Sequence, residues 1–160
     1  MKETHLLPLE RKYIEVQYND ETQSQLRAFC ERHGFDLGVR FDKTRQDPED
    51  FDFHSTIWFT TTEHQMNNVS QFVNVEAYPK NFTLFGDDQN ILVIELDSED
   101  LHAMREEIGA EFEMKDMYPD YRPHITVCYA YEGDAPPNEI LSELDVPLVA
   151  DTLNIKKQKR

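Results

Sequence analysis

Between Lys12 and Asn19 apolar and polar residues alternate. Ile14, Val16 and Tyr18 share one parity, and Tyr13, Glu15 and Gln17 share the other. A period of two predicts a strand with one buried face. Over residues 20–34 the period changes. Leu26, Phe29, Cys30 and His33 recur at helical spacing, Asp20 can cap the first turn, Gln23 completes a capping box, and Gly34 supplies the stop. A helix is predicted there. A polar loop, DKTRQDPED, comes next and leads into a strand that carries His54.

The order then repeats. NILVIELD (90–97) reads as a strand, and Ser98 opens a helix through EDLHAMREEIGA, with acids in its first turn where the helix dipole favours them. The turn-rich KDMYPDY leads into a strand carrying His124. Strand, helix, loop and strand therefore occur twice, which predicts an internal duplication within one domain spanning 1–160. Between the halves, QFVNVEAYPKNFTLFG reads as two strands joined near Pro79–Lys80. GDAPPNE (133–139) is a loop, and DVPLVADTLNIKKQKR adds a last strand and a basic end, with Lys156 and Lys157 read as solvated.

The two halves share one short motif. His54 and Thr56 stand in DFHSTI, and His124 and Thr126 stand in RPHITV, 70 positions further on. Residues i and i+2 of a strand point to the same face. Each histidine therefore shares a face with its threonine, while Ser55 and Ile57, or Ile125 and Val127, take the other. A pseudo-two-fold axis would bring both pairs to one groove.

Two imidazoles flanking a phosphate suit cleavage by an internal 2′-hydroxyl. One neutral ring takes the proton of the 2′-OH, and the other, protonated, donates to the departing 5′-oxygen. Each transfer is worth roughly 10²- to 10⁴-fold, and histidine serves both because its pKa lies near neutrality. The threonine hydroxyls can donate to the non-bridging oxygens as charge grows there. One such pair in a strand is commonly packing. Two pairs, each followed by an apolar residue, arise by accident roughly a few per cent of the time. No metal or other cofactor is expected, since no cluster of Asp, Glu and His at ligand spacing accompanies the pairs. His5, His33, His64 and His102 lack the pattern and read as surface or helix residues.

Composition narrows the substrate. The chain is 39% hydrophobic and 11% aromatic, enough for a folded core, but its formal net charge is −16. Affinity for long nucleic acid comes largely from Lys and Arg neutralising phosphates, so a polymer is disfavoured and a small phosphate ligand is not. Cys30 and Cys128 fit a reducing cytoplasm. The start, MKETHLLPLE, has no signal-peptide core, and ILVI, the longest apolar run, is too short to span a bilayer.

Paired H-x-[ST]-apolar motifs half a small domain apart resemble those of the 2H phosphoesterases, which include the RNA 2′,5′ ligase-like proteins. HSTI at 54–57 and HITV at 124–127 match, as does the Tyr121-x-Pro123 before the second histidine. Within that superfamily the compact size, DFHSTI and Y-x-PHIT with a following tyrosine look most like the phage anti-CBASS nucleases, which cut cyclic oligonucleotide alarm signals. The resemblance implies an α+β fold of two lobes, antiparallel sheets related by a pseudo-two-fold around a central groove, with helices outside. It implies His54, Thr56, His124 and Thr126 as catalytic residues and a cyclic di- or trinucleotide as substrate. It also implies a base-stacking tyrosine near the start of the chain, for which Tyr13 is placed. Trp58, two positions beyond Thr56, is a second candidate for stacking, and Arg122 beside His124 is a candidate phosphate contact. The competing readings are an enzyme of RNA ends or 2′,5′ linkages, and a sponge that sequesters cyclic nucleotide without cutting it.

Overall fold

A computed structural model describes residues 10–62, 69–112 and 120–157. Its elements are β1 (Glu10–Tyr18), α1 (Asp20–Arg32), β2 (His54–Thr62), β3 (Val69–Phe85), β4 (Ile91–Asp97), α2 (Glu99–Phe112), β5 (His124–Cys128) and β6 (Leu148–Lys157). The strands form one sheet in the order β2-β1-β6-β3-β4-β5, every pairing antiparallel. The order reads as two three-stranded halves, β2-β1-β6 and β5-β4-β3, joined where β6 meets β3. The units β1-α1-β2 and β4-α2-β5 thus occupy equivalent places at the two ends, and the fold is α+β.

The alternation in β1 works as the sequence predicts: Ile14, Val16 and Tyr18 are buried in the core. Leu26, Phe29 and Cys30 of α1 and Leu101 of α2 join Ile57, Leu92, Ile94, Ile125 and Leu148 there. Both cysteines are free and buried. No helix among the described residues is long and apolar enough to cross a membrane.

Several local readings are corrected. The cap of α1 is Asn19, whose side chain accepts from the Thr22 amide at 2.9 Å; Asp20 is instead the first helical residue. Gln23 makes no capping box. Its Nε2 donates to the Phe53 carbonyl at 2.7 Å, and the Phe53 amide donates back to its Oε1 at 2.9 Å. The segment read as two strands joined near Pro79 is the single strand β3. Its first half pairs with β6 and its second with β4, and the register shifts between Pro79 and Asn81. Proline has no N–H for a ladder, so it sits at the irregularity where the strand changes partner, not in a turn. The expected final strand forms as β6, between β1 and β3. His5, His64, most of KDMYPDY and the last three residues lie outside the described residues.

Candidate active site

His54 opens β2 and His124 opens β5, the two terminal strands in the sheet order. The sheet curls until these strands meet. Ser55 Oγ donates to the His124 carbonyl at 2.8 Å, and Tyr121 donates to the Thr56 carbonyl at 2.7 Å. Tyr18 holds Ser55 from below at 2.7 Å. Because the one Ser55 hydroxyl hydrogen goes to the carbonyl, Tyr18 is the donor in that pair.

Both histidines are held the same way. His54 Nδ1 lies 3.2 Å from the Asp52 carbonyl, and His124 Nδ1 lies 2.8 Å from the Arg122 carbonyl. A carbonyl only accepts, so Nδ1 carries the proton in each ring and Nε2 is left with the lone pair when the ring is neutral. The backbone before each histidine is fixed in turn. Gln23 clamps Phe53, and Arg27 donates to the Pro48 and Phe51 carbonyls at 2.8 and 3.0 Å. On the other side the Leu96 amide donates to the Pro123 carbonyl at 2.9 Å. Burial chiefly, with repulsion from His54 and Arg122, pushes the His124 pKa below that of an ordinary histidine, despite the Nδ1 bond to the Arg122 carbonyl and the nearby Glu95 carboxylate.

Each threonine carries a tyrosine partner. Tyr13 and Thr56 share a 2.6 Å hydrogen bond, and the Thr126 side chain acts on the Tyr129 phenol. Burial raises both phenol pKa values, outweighing the lowering effect of the threonine bonds, and the Glu15 carboxylate raises them further. Both phenols therefore keep their protons at neutral pH. The Tyr13 ring stands edge-on to His54, 6.2 Å between centroids.

Two expected contacts fall elsewhere. Trp58 is in the core: its Nε1 donates to the Arg105 carbonyl at 2.9 Å, and the Arg105 guanidinium lies 3.8 Å over its ring. The cause is a bulge. Ile14 pairs with Trp58 but Glu15 with Thr56, so Ile57 is extra and the parity of β2 reverses beyond it. Phe59, not Trp58, therefore shares the face of Thr56 and meets the Tyr13 ring edge-on at 6.2 Å. Arg122 is ion-paired with Glu95 through Nε at 3.3 Å and through a second nitrogen, and it covers the Phe85 ring at 4.9 Å. Phe85 packs edge-on against His124 at 4.8 Å. Arg122 thus buttresses His124 from behind Phe85, with its charge already engaged by a carboxylate.

Sequence reasoning missed a cavity of about 220 Å³ beside His54. Glu15, Tyr129, Lys156, Arg40 and Phe41 line it with His54. Lys156, read as a solvated end, points along β6 toward Glu15, 3.4 Å from Oε1. Glu15 shares strand parity with Tyr13, which is the one local signal that it faces the groove. Lys156 reaches the site only through the pairing of β6 with β1, where it stands opposite Tyr13.

Residues 10–155 match the family model described as Anti-CBASS protein Acb1. The chain belongs to the anti-CBASS Acb1 family. That is the branch of the 2H phosphoesterases that the sequence most resembles, and it makes the chain a phosphodiesterase directed against CBASS signals. No curated protein matches the chain. Among solved structures, E. coli LigT complexed with 3′-AMP aligns with 92% of this chain and 87% of its own, at 11% identity and a TM-score of 0.46. In this Acb1 family member the four residues of the two motifs meet at the closure of β2 on β5, with a phenol behind each hydroxyl.

Proposed function

We propose that the protein opens cyclic di- and trinucleotide signals by metal-independent attack of a ribose 2′-hydroxyl on the adjacent 3′–5′ phosphodiester. The observation that carries this reading is the matched clamp. Two histidines on facing strands each give Nδ1–H to a backbone carbonyl, which leaves two Nε2 atoms for proton transfer.

His124 is the base in this scheme. Its lowered pKa keeps it neutral at pH 7, so Nε2 takes the 2′-OH proton as the 2′-oxygen bonds to phosphorus. The P–O5′ bond breaks, and protonated His54 delivers its Nε2 proton to the 5′-oxygen. The product is a linear nucleotide ending in a 2′,3′-cyclic phosphate. Tyr13, kept protonated, donates to Thr56 and turns the threonine hydrogen toward the phosphate, and Tyr129 beside Thr126 is given the matching role. Donors preset where charge develops cost no reorganisation during the reaction. Such a substrate is met in the bacterial cytoplasm, where we place the protein.

Incubation with 3′,3′-cyclic GMP-AMP in EDTA, with separation of products, tests the proposal. Linear product is expected, together with a loss of at least about 10²-fold in rate for His54→Ala and for His124→Ala. Retained but uncut ligand would replace this reading with a sponge. Cleavage of RNA in preference to the cyclic dinucleotide would replace it with an RNA-end enzyme.

A further inference from the structure

Each half of the sheet carries a glutamate on the strand beside its His-x-Thr motif. Glu15 pairs with Thr56 across β1 and β2, and Glu95 pairs with His124 across β4 and β5. The two are treated differently. Glu95 accepts from Thr83 Oγ1 at 2.5 Å and from Asn81 Nδ2 at 3.5 Å, and is ion-paired with Arg122. Glu15 is 4% exposed. Its Oε1 has Lys156 Nζ at 3.4 Å, but its Oε2 is buried with no hydrogen-bond partner. A buried carboxylate oxygen without a donor is unfavourable, and Glu15 is one of the residues that line the cavity beside His54.

The chemistry of the cavity limits what can complete it. A phosphate is repelled by a carboxylate, so the scissile group belongs to the histidines and not to Glu15. A metal ion needs several hard ligands, and among the described residues no group of three His, Cys, Asp or Glu side chains is arranged to hold one. A neutral donor remains. Phe41, Phe51 and Tyr129 give the cavity aromatic walls, and Phe41 stands 71% exposed, edge-on to Tyr129 at 5.8 Å. These aromatic walls stand among polar groups of the same cavity, Arg40, Asp50 and Asp52 among them, and aromatic faces beside a buried acceptor suit a heterocycle better than a sugar hydroxyl. At about 220 Å³ the space suits one ring system and not a whole dinucleotide.

We infer that the cavity beside His54 is a nucleobase subsite, in which Glu15 Oε2 accepts a hydrogen bond from an N–H on the Watson–Crick edge of the base. Lys156 stays on Oε1 and presents a donor beside that acceptor, so an edge with an N–H next to a ring acceptor is matched at both points. The inference rests on reading the groove as a nucleotide site, and it makes Glu15 a specificity residue and not a proton carrier.

The test compares two ligands that differ by one amino group, 3′-AMP and purine riboside 3′-phosphate, by calorimetry. Hydrogen bonds to charged groups predict about tenfold or tighter binding of 3′-AMP to the wild-type protein. Glu15→Ala is expected to bind the two ligands within about twofold of each other. Glu15→Gln keeps the shape and a neutral acceptor, so it is expected to retain part of the preference. Turnover of 3′,3′-cyclic GMP-AMP by the wild-type protein runs alongside. Undiminished preference in Glu15→Ala overturns the inference. So does equal weakening of both ligands, which would mark a sugar contact. Wild-type cleavage of the cyclic dinucleotide with no preference for the amino group overturns the subsite alone. Neither binding nor cleavage overturns the nuclease reading and the subsite with it.

Discussion

Ser55 ties the two motif strands together, and replacing it by alanine separates their contributions to folding and to catalysis. The side chain is fully buried. Its hydroxyl accepts from Tyr18 and donates to the His124 carbonyl, at 2.7 and 2.8 Å. In Ser55→Ala both partners lose that contact where water does not reach. A buried polar group left unpaired costs about 1–3 kcal/mol, so the pair is expected to cost about 2–4 kcal/mol. For a chain of this size that lowers Tm by roughly 5–15 °C. The strand carrying His124 also loses its tie to β2. A displacement of about 1 Å costs on the order of 10²-fold in rate, so kcat at 15 °C, where the variant is folded, is expected to drop by roughly 10- to 100-fold with KM little changed. Thermal unfolding followed by circular dichroism and turnover of 3′,3′-cyclic GMP-AMP measure the two effects. Tyr18→Phe removes the hydroxyl that Ser55→Ala would strand, so the double variant is expected to be about 1–2 kcal/mol more stable than the sum of the singles predicts. A Tm within 2 °C of wild type, or strict additivity in that cycle, refutes the role of Ser55 as a tie.

The depressed pKa of His124 makes a signed prediction. An unfolded histidine titrates near 6.5, and the folded one below that, so this stability is fully present above about pH 6.5 and is lost as pH falls through the folded value. His124→Asn should flatten the acid side of a Tm-against-pH curve, and His54→Gln, by removing a repelling charge, should raise the His124 pKa read by NMR; an unmoved or lowered value contradicts the coupling. A cyclic dinucleotide built from two deoxyriboses should be inert, since it has no nucleophile, and cleavage at a rate near that of the ribose form would mean that water attacks. A Cβ on Gly109 would lie 2.6 Å from Trp58 Cζ2, so Gly109→Ala is expected to cost about 1–3 kcal/mol by overpacking, seen as a lower Tm with base preference unchanged. An altered base preference in that variant would return Trp58 to the groove.

The sequence by itself determined what depends on near neighbours along the chain. The parity of β1, the helical spacing of Leu26, Phe29 and Cys30, and the shared face of His54 with Thr56 and of His124 with Thr126 follow from periods of 2 and 3.6, and these hold before any tertiary contact forms. The repeat of strand, helix and strand was legible for the same reason, and so was the family. Tertiary structure decided whatever depends on which strands pair. One extra residue at Ile57 reversed the parity of β2 and sent Trp58 to the core and Phe59 to the face of Thr56. The pairing of β6 between β1 and β3 carried Lys156 from an apparent solvated end to Glu15. A change of partner along β3 turned an expected turn at Pro79 into a bulge. Gln23, Ser55 and Arg122 found their partners 30, 69 and 27 positions away. No local pattern encodes such distances, because a polar side chain looks the same in sequence whether it meets water or a backbone carbonyl brought to it by the sheet.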